Sequence, residues 1–218
     1  MDRRCAYFTE VVPDLATRDH GATPEQVAEA FNVQTNTIHS GVGTVRKWLG
    51  TDPTTGNWYL PESTLSPSAK ARGVPVYEVI GLLSDADLFK RLRVRGQARV
   101  RGQARVQEGI DDLIAALHLV EGRPFDQLRT GGYGWVAETP LDQYLTAGVV
   151  DVAHIVATHA LVSGDVDFGR WASETAIAAA PSEDKPRLDL AAVLVAQGRA
   201  KPHRIAADLL AEREDPGH

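Results

Sequence analysis

The sequence predicts a mostly α-helical protein built from a short helix-turn-helix module and a longer helical array. Three observations predict it. Thr23-Pro24-Glu25-Gln26 is a local helix start. Apolar residues recur at three- and four-residue spacing after it. The C-terminal half is a series of apolar or amphipathic segments separated by Gly and Pro breaks.

The first helix is expected over Cys5–Leu15, where Ala6, Tyr7, Val11 and Val12 lie roughly at helical spacing. In the second, Thr23 caps, Pro24 suits the first helical position and Gln26 completes a capping box, with Val27, Ala30 and Phe31 as the apolar face. Asn32-Val33-Gln34 reads as a tight turn. Thr35 or Asn36 is expected to cap a third helix, whose Ile38, Val42, Val45 and Leu49 share one face and which Gly50 stops. Asp52–Asn57 is a turn cluster, and Trp58-Tyr59-Leu60 after it is expected as a short strand, giving a hairpin. Residues 1–62 thus form one module.

Residues 61–75 are rich in Pro, Ser and Gly, so 63–83 is expected to be a linker, with a short strand or turn at 76–81. The helical domain spans 84–214. Its helices are expected at 84–93, 107–120, 139–163, 166–180, 184–198 and 202–213, joined by short breaks that favour antiparallel neighbours. Gly164 and Gly198 each end a helix and lie 34 residues apart, a weak tetratricopeptide-like period. The hexapeptide Val-Arg-Gly-Gln-Ala-Arg occurs twice in tandem, at 94–99 and 100–105. Two glycines within the repeat, and the rotation of about 240° that six residues impose on a helix face, point to an irregular basic loop there.

The 218 residues carry 23 Lys plus Arg against 29 Asp plus Glu, a formal net charge of −6, so bulk charge does not advertise a nucleic-acid binder. The single cysteine, Cys5, excludes an intrachain disulfide and fits a reducing compartment. The start lacks a signal-peptide pattern. The apolar run at 147–162 is interrupted by Gly148, Asp151, His154 and His159, so a buried helix rather than a membrane span is expected. A cytoplasmic protein without membrane contact follows as the expectation.

Four constellations bear on chemistry. With Ile38, Val42, Val45 and Leu49 turned inward, Asn36, Thr37, His39, Ser40, Thr44, Arg46 and Lys47 face outward. Asn reads adenine, Arg reads guanine, and Lys, Ser and Thr hold phosphates. The competing reading is a solvated polar face. The first 60 residues hold five basic and seven acidic side chains, and Gly41 and Gly43 weaken the helix, so intrinsic affinity should be low. The stretch Lys90–Arg105 has seven basic residues and no acid, and reads first as a solvated loop. His118, His154 and His159 have Asp111, Asp112, Asp151 and Asp165 near in sequence, and Asp151 with His154 could share a helix face. No nucleophile motif or metal-ligand spacing accompanies them, so no catalysis, metal or cofactor is expected. Gly131-Gly132-Tyr133-Gly134 lacks the strand–loop–helix setting of a phosphate loop and reads as a turn. Trp135, Tyr144, Phe168 and Trp171 are expected in the core.

The helical-domain sequence resembles the bacterial transcriptional activation domain (BTAD) of the SARP-type transcriptional regulators. Asp87-Leu88-Phe89 opens the similarity. Ile114–Phe125 resembles the family's A-L-x-L-W-x-G-x-P-L/F signature, and Tyr133-Gly134-Trp135-Val136 the aromatic patch that follows it. Leu161–Asp165 is similar to L-A-x-G-D, and Ala196-Gln197-Gly198-Arg199 to x-x-G-R. Val45–Gly50 resembles the L-R-K-x-L-G end of a recognition helix, and Asn57–Leu60 the returning strand of a wing. The family's N-terminal sheet has no counterpart, since the chain starts at or inside the first helix. The resemblance implies a truncated winged helix followed by a tetratricopeptide-like array. It also implies binding of double-stranded promoter repeats, and a helical domain that dimerises or meets the transcription machinery. The alternative is a protein-interaction scaffold built on the array that does not bind DNA.

Overall fold

The computed structural model describes residues 10–103, 105–126, 134–138 and 140–198. The expectations for Cys5, Gly131–Tyr133, Arg199 and a helix at 202–213 lie outside them, as does the first part of the expected Cys5–Leu15 helix. The chain divides into two compact units, Met1–Asp87 with Gln127–Pro140, and Leu88–Asp126 with Leu141–His218.

In the first unit, α1 spans Val11–Ala16, α2 Pro24–Ala30 and α3 Thr35–Leu49. The capping box forms as the local sequence dictates. Thr23 Oγ1 accepts from Gln26 N–H, and Gln26 Oε1 accepts from Thr23 N–H. Asn32 closes α2 in the left-handed region, at φ +50°, while Val33 N–H donates to Ala28 O at 2.9 Å. α3 then starts from Gln34, not from Thr35 or Asn36, and no side chain caps it. Its Ile38, Val42 and Val45 are buried, and α3 packs on α2; Val27, Phe31, Val11 and Leu15 are buried in the same unit.

The hairpin after α3 is shorter than a strand pair. Thr51 and Trp58 form one isolated antiparallel bridge, and Tyr59 N–H donates to Gly50 O. Asp52 organises the turn by accepting from the Thr54 and Thr55 N–H groups. Leu60 then plunges into the core and Pro61 removes a donor, so the pairing stops there. Residues 63–83, read from composition as a linker, are instead anchored at Ser66, Ser68, Ala69, Val76 and Tyr77, which are buried, while Leu65, Val74, Leu82 and Leu83 are exposed. Pro67–Arg72 forms α4, capped by Ser66, whose hydroxyl accepts from Ala69 N–H and donates to Val76 O. Val76 and Tyr77 are buried, and Tyr77 makes a single bridge to Ala22. Pro and Ser here start a helix rather than loosen the chain.

In the second unit, α5 (Asp85–Arg101, beginning just before the unit boundary) is followed by α6 (Val106–Leu117), α7 (Leu141–Ser163), α8 (Val166–Ala179) and α9 (Asp184–Ala196). A short 3₁₀ turn, Gly134–Glu138, belongs to the first unit. The basic repeat is not an irregular loop. Its first copy lies wholly inside α5, and its second ends that helix through Gly102 and Gln103, the latter at φ +53°. The reason is a helix crossing. A Cβ on Gly96 would stand 2.8 Å from Gly109 O, and one on Gly109 would stand 2.8 Å from Gly96 O. The backbones of α5 and α6 touch where neither has a side chain.

α7 is the central helix, packed by α6, α8 and α9. Val149, Val152, Ala153, Val156 and Ala157 are buried with Phe89, Ile110, Leu113, Leu117, Ala172 and Ala176. α7 is thus the buried helix expected from the sequence, although by length and composition alone it is also long and apolar enough to cross a membrane: its best window has mean hydropathy 1.6, and 44% of that window is buried in the protein. Gly164, at φ +79°, stops α7, and Asp165 caps α8 by accepting from Phe168 N–H.

Of the four aromatic residues expected in the core, Trp135 is buried and Phe168 and Trp171 stack at 5.0 Å, half-buried. Tyr144 departs from the expectation. It is half exposed, with the Arg93 guanidinium 5.7 Å from its ring centre.

Candidate nucleic-acid interface

α3 carries the candidate face. The buried stripe of Ile38, Gly41, Val42 and Val45 fixes the helix, and Asn36, Thr37, His39, Ser40, Thr44 and Lys47 are exposed on the other side. Thr44 Oγ1 donates back to Ser40 O at 3.3 Å, a weak local bond that leaves both residues accessible. His39 is not free: its Nδ1 lies 2.6 Å from the Tyr77 hydroxyl. Burial pushes the Tyr77 hydroxyl above its usual pKa, so the phenol stays protonated across the neutral range.

Arg46 departs most from the outward set. Its Nε donates to Leu60 O at 2.9 Å and its second terminal nitrogen to Pro61 O at 3.2 Å, with Glu62 3.7 Å away. Its side chain is only 19% exposed. Arg46 therefore staples the returning chain to α3 rather than reaching toward a base. Lys47, beside it, is exposed and has no ion pair or hydrogen bond among the described residues.

Reasoning from sequence missed Trp48. Its indole is 72% exposed at the C-terminal end of α3, and Trp58 across the hairpin is 44% exposed. Trp48 falls just beside the apolar stripe, so its period assigns it to neither face. Only its size signals it, because a tryptophan carries the large, rigid apolar area that contacts use most.

The other constellations resolve into structural pairs. Asp151 does not meet His154. It accepts from Arg93 at 3.1 Å and faces Lys185 at 3.6 Å, while His154 Nδ1 lies 2.9 Å from Asp189 of α9. His118 tilts over Trp171 at 4.7 Å. In the basic stretch, Arg95 and Arg99 both donate to Asp112, and Arg99 and Arg105 lie 3.6 Å from Glu108. Among the described residues no group of three or more His, Cys, Asp or Glu side chains is placed to hold a metal ion.

Comparison with family models, with curated proteins and with solved structures gives no match.

Proposed function

We propose that this protein is a DNA-binding transcription regulator of the SARP/BTAD type, acting in the cytoplasm without catalysis. In this reading the helix-turn-helix with its short Thr51/Trp58 hairpin is a winged-helix-like module. α7, α8 and α9, with helix-ending Gly164 and Gly198, belong to a tetratricopeptide-like array that dimerises or meets a partner. The observation that carries the reading is the two-faced third helix: Ile38, Val42 and Val45 are buried, and Asn36, Thr37, Ser40, Thr44 and Lys47 are exposed along the opposite side. A helix entering the major groove needs this division, with amide and hydroxyl groups for base edges and a cation for phosphate. Arg46 contributes by shaping the hairpin, not by contact.

The second reading, a scaffold whose helical parts dock onto protein, is favoured by Trp48 and Trp58, since exposed tryptophans are typical contact anchors between proteins.

Fluorescence anisotropy on labelled genomic fragments, at low and physiological salt, separates the two. Selective binding that survives physiological salt supports the first. There, N36A changes which fragments bind, while K47A weakens all of them and lowers the salt slope by about one. No binding at low salt leaves the scaffold reading. Arg46 is kept intact throughout, because its loss would disturb the hairpin and imitate a binding defect.

A further inference from the structure

We propose that the outward face of α5 grips the phosphodiester backbone of duplex DNA through Lys90, Arg91 and Arg101, an inference that rests on the DNA-binding reading above. The seven cations between Lys90 and Arg105 fall into two sets. Arg93, Arg95, Arg99 and Arg105 are ion-paired, to Asp151, to Asp112, to Asp112 with Glu108, and to Glu108. Lys90, Arg91 and Arg101 are exposed and have no hydrogen bond or ion pair to any described residue. The nearest acid upstream, Asp87, is engaged by the Ser84 hydroxyl at 2.6 Å.

At 100° per residue the free cations fall on one side. Lys90, Arg101, Val94, Ala98 and Arg91 occupy an arc of about 100°. Phe89 and Gly96 occupy the opposite, buried side. The crossing at Gly96/Gly109 clamps that buried side, so the basic face points outward by construction. Lys90 and Arg101 are about 16 Å apart along the axis at 1.5 Å per residue, a reach over several phosphates of one strand.

The composition of the face selects the partner. Between the cations stand only Val94 and Ala98, and no aromatic residue. A protein partner would find no anchor to bury. Single-stranded nucleic acid would find no stacking platform. A bilayer would find too little apolar surface to insert. A duplex backbone needs only well-placed cations, because released counterions supply the affinity. A chain of net charge −6 can still hold DNA in this way, because three of its unpaired cations stand together on one helix face.

The test uses the full chain and a labelled duplex of random sequence, titrated between 50 and 200 mM salt. The triple variant K90Q/R91Q/R101Q should lose about three released counterions. Wild-type affinity should then fall about 40-fold more than the variant's across that range. The charge-keeping R91K/R101K should behave as wild type, and circular dichroism should show all variants folded. A triple variant with the wild-type slope overturns the proposal. If N36A/K47A then changes which fragments bind, the α3 reading stands alone. If the triple variant loses the slope while N36A/K47A is silent, the α5 face stands and the α3 reading falls. No wild-type binding at the lowest salt overturns both. Equal binding of poly-L-glutamate, or of phosphatidylserine vesicles, overturns the duplex assignment.

Discussion

At the scale of single residues, charge is spent mostly on holding the chain rather than on meeting a ligand. Arg46 and Lys47 are neighbours with opposite fates. R46A removes two charge-assisted bonds to Leu60 O and Pro61 O and should cost about 1.5–3 kcal/mol of stability. K47A touches no partner and should stay within about 0.5 kcal/mol. Urea denaturation of both variants checks the contrast; equal stabilities would show that Arg46 is not a staple. Two buried carboxylates respond oppositely to pH. The Arg95 bond, with Arg99 beside it, holds Asp112 below the usual carboxylate range even though burial opposes it. Its folded form binds protons less readily than its unfolded form. The stabilisation is therefore complete above about pH 3.9 and is lost as pH falls through the lower folded value. Asp14 is the reverse. Burial raises it against the pull of Arg18, and its Oδ2 has no hydrogen-bond partner among the described residues. Its folded form takes up a proton first, so its contribution improves as pH falls through the raised value and worsens as pH rises. Comparing wild type with D112N and with D14N by urea denaturation at neutral and acid pH should give differences of opposite slope, and D112N should cost about 2 kcal/mol at neutral pH. Parallel slopes would refute the assignment.

At the scale of elements, one hexapeptide in two settings shows how far local sequence decides structure. Val94–Arg99 and Val100–Arg105 are identical, yet the first is helix interior and the second is helix end. Propensity cannot distinguish them; Gly109 does, by offering a backbone surface only to Gly96. A methyl at Gly96 would also stand 2.8 Å from Leu113 Cγ, so G96A should destabilise by about 1–3 kcal/mol through overpacking. The same change at Gly102 meets Ala98 O at 3.2 Å and Arg99 O at 3.8 Å and should cost clearly less. Thermal melts of the pair measure the crossing directly; equal losses would remove it as the reason for the helix. Gly43 makes the third case. It lies within α3 with open space where a Cβ would go, so G43A should raise stability by about 0.8–1 kcal/mol. A loss on melting would mean that the site is tighter than its geometry implies.

At the scale of the molecule, what the sequence revealed divides by distance along the chain. The capping box at Thr23, the apolar stripe of α3 and the Gly164-Asp165 junction were legible because every partner lies within four residues. So were α7, α8 and α9, whose ends fall within about two residues of those expected. The packing of 63–83, the staple at Arg46 and the helix through the repeat were not legible, because Val76, Leu60 and Gly109 lie ten or more residues from the groups they satisfy. Of the outward face, six of the seven residues are exposed and Arg46 alone is tied down by backbone it meets only after folding. The same separation by distance predicts how the protein unfolds. Each unit has its own buried core, Val42 lying in the first and Val156 in the second. Truncating either leaves a cavity, so V42A and V156A should each cost about 2 kcal/mol. If each core sustains its own cooperative transition, calorimetry should resolve two, with V42A lowering one and V156A the other. A single transition shifted by both variants would mean that the two cores melt as one, and a variant in α3 would then report on the array as well as on its own helix.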